Sequence, residues 1–235
     1  MLDALLAPLL SLDQRRRRAL ARLPPGPLAR YLATPFPDPA RDCREVEYLS
    51  LDLETSGLDP RRDRIVSLGY VVVRGLTIDL GSATHRIIRP GPDHPLSEAS
   101  VVIHQLTDDT VASGDSLFEA FVELFAALQG RVLLAHHAEI ECGFIDNVCR
   151  KVCGAPLVVP VVDTQWLARR SLERSNRPYS GSSLRLFNLR ENYNLPRYNA
   201  HNALSDALAT AELFTAQLAE REAKKMPLKD FLRRM

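Results

Sequence analysis

Cysteine is scarce in this chain of 235 residues. The four present, Cys43, Cys142, Cys149 and Cys153, form no Cys-x-x-Cys pair. A chain this long can bury its own core, so neither a disulfide framework nor a zinc knuckle is expected, and free thiols in a reducing cytoplasm fit best. Long apolar runs are also lacking. The longest early uncharged stretch, Ala4 to Leu12, contains Pro8, is flanked by Asp3 and Asp13, and has no basic residue before it. It is too short to cross a bilayer and lacks the basic start of a signal peptide, so a cytoplasmic protein without a membrane partner is expected. Neither sign of charge is in excess. Thirty basic residues against 29 acidic ones give a net charge of +1, which removes any bulk-charge argument for a polyanionic partner and leaves only local sites. Lysine is rare as well: only Lys151, Lys224, Lys225 and Lys229 occur, and the other basic residues are arginines.

What remains is ordinary globular composition, 46% hydrophobic and 25% charged, with enough apolar surface for a substantial core. The length suits one large domain, or one domain with an extension. Six of the 16 prolines lie between Pro24 and Pro39, after an arginine run from Arg15 to Arg18. This marks a boundary. Residues 1–44 read as an extension, a helix up to Leu23 and then an extended Pro-rich connector; 45–225 read as the main domain, and 226–235 as a tail. The arginine run is expected on a solvated helix face, with phosphate contact as the alternative.

Within the main domain, strands come first: Val46 to Glu54, Ile65 to Val73 and Thr77 to Ile88. Alternation follows, with a helix over Leu117 to Leu128, a buried strand over Val132 to Ala135 and a helix over Ala138 to Val152. A strand over Val158 to Val162 and helices over Gln165 to Leu172 and Asn202 to Ala223 complete it. This order predicts an α/β fold, a mixed five-stranded sheet with helices on both faces.

The first strand places Leu49, Leu51 and Leu53 on one face and Ser50, Asp52 and Glu54 on the other. Two same-face carboxylates at the end of a central strand repel each other and lose hydration, and a hard divalent cation relieves both costs. The alternative is that Glu54 rims the sheet and Asp52 caps a turn. Far along the chain, His201-Asn-Ala-Leu-Ser-Asp206 opens a helix. Five helical steps turn the chain by about 140° net, so His201 belongs to the preceding loop, where it can serve as a general base while Asp206 faces the metal. The alternative there is a helix start capped by Asn202, with Asp206 favoured by the helix dipole.

Together these residues resemble a family. Leu51-Asp-Leu-Glu-Thr-Ser-Gly-Leu-Asp-Pro60 is similar to the first motif of the DnaQ-like (DEDD) 3′-to-5′ exonucleases, the group that includes the proofreading epsilon subunit of bacterial DNA polymerase III. His201 to Asp206 is similar to the third motif, and Leu133 to Phe144 stands where the second occurs. The histidine five residues before the final Asp fits the histidine subclass. Ile103 to Thr107, Val162-Asp163-Thr164 and Ser183-Leu184 add to the likeness. One departure is that Glu141 replaces the second-motif Asp, with His137 where Asn is usual. Glu139 is the rival ligand, but two helical steps turn it about 200° from Glu141, and Glu141 shares its face with Phe144 and Ile145 toward the sheet.

The resemblance implies an RNase H-like fold and two Mg²⁺ or Mn²⁺ ions per active site, held by Asp52, Glu54, Glu141 and Asp206, with His201 taking the proton from water. It also implies that the backbone of Thr55, Ser56 and Gly57, together with Leu58, holds the terminal nucleotide, with an ordinary turn as the alternative. His104 would line the pocket, unless it is structural. The expected substrate is the 3′ end of single-stranded or frayed DNA, and the product a nucleoside 5′-monophosphate. Rival readings are an RNase T-like enzyme acting on RNA ends and a weakly active nucleic-acid-binding or polymerase-accessory module; a polymerase or clamp is an implied partner. Independently of the resemblance, seven arginines against two glutamates between Arg169 and Arg197, interleaved with Tyr179, Phe187, Tyr193 and Tyr198, point to a groove for unpaired strands, with Arg174 and Arg177 as its contacts.

Overall fold

Strand β1 (Glu47–Thr55) pairs antiparallel with β2 (Ile65–Arg74) and parallel with β4 (Val132–Ala135), so it lies at the centre of the sheet, as its two-faced burial requires. The computed structural model describes residues 10–90, 114–198, 201–221 and 225–234. Strand β3 (Thr77–Ile87) adds to β2, and β5 (Val161–Asp163) to β4, giving the order β3-β2-β1-β4-β5. The expected mixed five-stranded sheet is the one observed. The last strand starts later than Val158 because Pro160 has no N–H for the ladder.

Helices cover both faces. On one side Leu49, Leu51 and Leu53 pack against Phe121, Leu124 and Phe125 of α3 (Leu117–Leu128) and Phe144 and Ile145 of α4 (Glu139–Val148). On the other, Tyr48, Val71, Val73 and Leu134 meet Leu167 of α5 (Thr164–Arg174) and Ala211, Phe214 and Leu218 of α7 (Ala203–Ala219). The short α6 (Leu186–Glu191) packs on α7 through Leu189 and Leu213. Helix α4 is shorter than expected: after Val148 the chain widens into a single π-type turn, Cys149–Cys153, ended by Gly154 at φ +68°.

The extension departs from its reading. A first helix, α1 (Leu12–Leu20), is present, but the Pro-rich stretch is not simply extended: Pro27 opens a second helix, α2 (Pro27–Ala33). Proline at the first helical position forfeits only an N–H that would be unpaired anyway. Leu28, Tyr31 and Leu32 of α2 are buried in the main core, with the Tyr31 ring 5.5 Å from that of Phe125. Nor is the arginine run uniformly solvated. Arg16 is 5% exposed and donates to the Leu32 carbonyl and to Asp13, fastening α1 to α2. The last residues are likewise structural, since Met226, Leu228 and Phe231 are core and Leu232 bridges antiparallel to Val162, covering the β5 edge. Among the described residues no helix is long and apolar enough to cross a membrane.

Candidate active site

The period of two in β1 sends Ser50, Asp52 and Glu54 toward α7, and two contacts hold the start of that helix against them. Ser50 donates its hydroxyl to the Ala207 carbonyl at 2.7 Å. Gly69, the cross-strand partner of Asp52, lies so close to α7 that a Cβ there would stand 2.2 Å from the Leu204 nitrogen. Asn202 caps α7 by accepting from the Ser205 N–H at 3.1 Å. Asp206, in the first turn, is thereby aimed at β1. One carboxylate oxygen each from Asp52, Glu54 and Asp206 lie within 4.8 Å of one another.

Glu141 is the fourth acid. It is 3% exposed in the first turn of α4, and its charge acts on Asp52. Glu139, by contrast, is exposed and pairs with Arg233. The turn into α4 is held by Asp163, a fully buried carboxylate that accepts from the backbone N–H groups of His137 and Ala138, caps α5 through Gln165 and Trp166, and pairs with Arg233. His136 is locked between Thr164 Oγ1 and the Leu184 carbonyl, and burial pushes its pKa down to about 4, so it is a neutral positioning group.

Both motif loops carry a histidine in the left-handed region, His137 at φ +67° and His201 at φ +68°. Few side chains tolerate this conformation, and Asn and His are among them, which rationalises His137 in place of Asn. Each such N–H is pinned by a carboxylate, that of His201 donating to Asp206 Oδ2 at 3.1 Å. The exposed His201 side chain therefore projects from a backbone fixed to one of the acids.

Burial first and neighbouring like charges second raise the acids' pKa values: Glu54 to about 7, Glu141 to about 8, and Asp52 well above the usual range. Asp206 is raised by burial, with the His201 N–H and the charges of His201 and Arg190 opposing. Asp206 Oδ1 and Glu141 Oε2 are buried without a hydrogen-bond partner. Orphaned oxygens within an all-carboxylate donor set fit a hard divalent cation. Without a cation, these acids keep their protons in the folded state to higher pH than in the unfolded chain. Stability is then fullest below about pH 4.5 and falls as pH rises through about 7 and 8. In EDTA the melting temperature is expected to drop by about 5–10 °C between pH 5 and 8, and Mn²⁺ is expected to recover most of the loss. A Tm at pH 8 unmoved by Mn²⁺ or Mg²⁺ would show that the acids hold no cation.

Thr55 to Leu58 form the turn directly after Glu54. Thr55 donates to the Gly57 carbonyl at 2.7 Å, and the side chain of Leu58 is 77% exposed. The space beside Gly57 is taken by the Asp63 carboxylate, 2.4 Å from where a Cβ would be, so a side chain at 57 would have to displace the Asp63 side chain. Arg174 is within electrostatic reach of Arg221, past the C-terminal end of α7. At 1.5 Å per residue that end lies roughly 20 Å from Asp206. Arg177 sits in the turn after α5, its N–H bonded to the Leu172 carbonyl. His104 lies outside the described residues.

Three supporting residues escaped the sequence reading. Gly69 was signalled by being a lone glycine inside a strand pattern, a mark of close backbone approach. Arg233 and Arg190 had no such signal. Arg190 is 1% exposed and ties Ala209, Glu212 and Pro196 together beneath the Tyr198 ring, securing the chain that leads toward His201.

The sequence model of a family described as "Exonuclease" (RNase_T) matches residues 49–214. A PolC-type DNA polymerase III of Lacticaseibacillus paracasei is 32% identical over 191 residues, 80% of this chain but 12% of the polymerase, so the chain spans about an eighth of that relative. The DNA polymerase III epsilon subunit of Treponema pallidum is 28% identical over 179 residues, covering 74% of this chain and 77% of the subunit. Among solved structures, cell-death related nuclease 4 superposes with a TM-score of 0.65 at 15% identity, over 79% of this chain and 68% of that one. The nuclease domain of 3′hExo, a DEDDh family member bound to rAMP, does so with a TM-score of 0.64 at 16% identity, over 79% and 100%. Exonuclease X in complex with 5′ overhanging duplex DNA gives a TM-score of 0.56 at 23% identity, over 78% and 98%.

Proposed function

Because this chain belongs to the RNase T-type exonuclease family, we propose that it removes nucleotides one at a time from the 3′ end of single-stranded or frayed DNA, releasing nucleoside 5′-monophosphates. The observation that carries this reading is the triangle of Asp52, Glu54 and Asp206 oxygens within 4.8 Å, with Glu141 buried beside it. These four residues would hold two divalent cations, Mg²⁺ or Mn²⁺. When bound, such ions supply electrostatic stabilisation to the attacking and leaving oxygens of an in-line phosphodiester displacement.

The chain's own groups do the rest. His201, exposed at the rim and fixed through its N–H to Asp206, takes the proton from the attacking water. The backbone of Thr55 to Gly57 lines the terminal nucleotide, and the exposed Leu58 side chain packs on its base. Asp163 and His136 hold the turn that presents Glu141. The polymerase III relatives favour DNA as substrate and a replicative polymerase as partner. RNA ends are the second reading, since a neighbour of the same fold is bound to rAMP.

The test is hydrolysis of matched 5′-labelled DNA and RNA oligomers with Mg²⁺, with Mn²⁺ and with EDTA, alongside Asp52→Ala. The expected result is a ladder shortening from the 3′ end on DNA, absent in EDTA and in the variant. Equal breakdown by wild type and Asp52→Ala would overturn the reading, and faster breakdown of RNA would reverse the substrate assignment.

A further inference from the structure

Alongside α4 lies a groove of about 870 Å³ lined by residues of the segments 10–15, 142–161 and 229–234. Five cationic side chains line it, Arg15, Arg150, Lys229, Arg233 and Arg234, against a single anionic one, Asp146. This is a strong local excess in a protein whose net charge is +1. Two of the cations are already engaged, Arg150 with Asp146 and Arg233 with Glu139 and Asp163. Arg15, Lys229 and Arg234 form no ion pair among the described residues. Gathering unpaired like charges around one groove is repulsive unless an anion fills it.

One wall of the groove borders the turn that presents Glu141. Cys142, which lines it, follows Glu141 in the chain. Arg233, at its wall, binds the same Asp163 carboxylate that holds the turn before Glu141. No aromatic ring lines it among the described residues, so it offers charge to a backbone and no stacking surface to bases.

We propose that this groove carries the phosphodiester backbone of the substrate strand on the 5′ side of the cleaved end, holding it by charge and without base preference. The proposal rests on the 3′ terminus being seated at the acid cluster. It predicts that Arg15, Lys229 and Arg234 act only on substrates long enough to pass around the first turn of α4.

The test is fluorescence anisotropy of a long labelled oligothymidylate and of a trimer against salt concentration in EDTA. Wild type is compared with the triple variant Arg15→Gln, Lys229→Gln, Arg234→Gln. Loss of three phosphate contacts on a single strand is expected to reduce the slope of log affinity against log salt by about 2 for the long strand and to leave the trimer unchanged. In wild-type protein the long strand, and not the trimer, is expected to protect Lys229 from acylation, a readout that needs no variant. An unchanged slope with Lys229 unprotected would overturn the proposal, as would equal effects on long strand and trimer. If wild type fails to hydrolyse either strand with Mg²⁺ or Mn²⁺, the exonuclease reading falls; if it hydrolyses while the slope stays put, only the groove assignment does.

Discussion

Replacing His201 with asparagine is expected to lower kcat by about 10² to 10⁴, the usual contribution of a positioned general base, while leaving Mn²⁺ affinity measured by calorimetry near the wild-type value. Asparagine is the informative choice because the backbone at 201 is left-handed, φ +68°, and Asn accepts that conformation where alanine would add strain. The His201 N–H, which donates to Asp206 Oδ2, is then retained, and only the imidazole is removed. Full activity in His201→Asn would eliminate the proton-transfer role. Loss of cation affinity together with activity would show instead that residue 201 acts by placing Asp206.

What was legible in the sequence is what local periodicity encodes. The period of two in β1 separates Leu49, Leu51 and Leu53 from Asp52 and Glu54, and the structure keeps that division. Helical phase set Glu141, on the face of Phe144 and Ile145, apart from Glu139, and the first is buried while the second is exposed. Features set by distant partners were hidden. The four arginines from Arg15 to Arg18 look alike in sequence, and only the Leu32 carbonyl distinguishes Arg16 as the one to bury. Prolines from Pro24 to Pro39 argued for extended chain, yet Pro27 starts a helix whose reason to exist is the Phe125 surface it covers. Met226, Leu228 and Phe231 fell in what read as a tail, although their side chains belong to the core cluster that includes Phe214 and Leu218 of α7.

Gly69 is the sharpest case of a residue whose meaning lies in a distant segment, and Gly69→Ala is the substitution that exposes it. In a strand interior, glycine to alanine ordinarily stabilises by about 0.5–1 kcal/mol, so ordinary propensity predicts a higher Tm. The packing predicts the reverse. The added Cβ would lie 2.2 Å from the Leu204 nitrogen and 2.3 Å from the Ala203 carbonyl carbon, both backbone atoms that no rotamer change can clear. Helix α7 must therefore lift off β2. Overpacking of this kind costs about 1–3 kcal/mol, a Tm lower by roughly 3–10 °C for a chain of this size. The start of α7 carries Asp206 and adjoins His201, so the lift opens the triangle with Asp52 and Glu54 while the sheet stays in place. A displacement of about 1 Å suffices for a loss near 10²-fold in kcat, and it is expected even at temperatures where the variant is fully folded, together with weaker Mn²⁺ binding. Gly181, with no atom within 4 Å of its would-be Cβ, provides the control: Gly181→Ala is expected to leave both Tm and kcat near wild type. A Gly69→Ala protein that melts higher and turns over normally would mean that α7 does not rest on β2 at this point, and that something other than Gly69 sets the distance between Asp206 and Asp52.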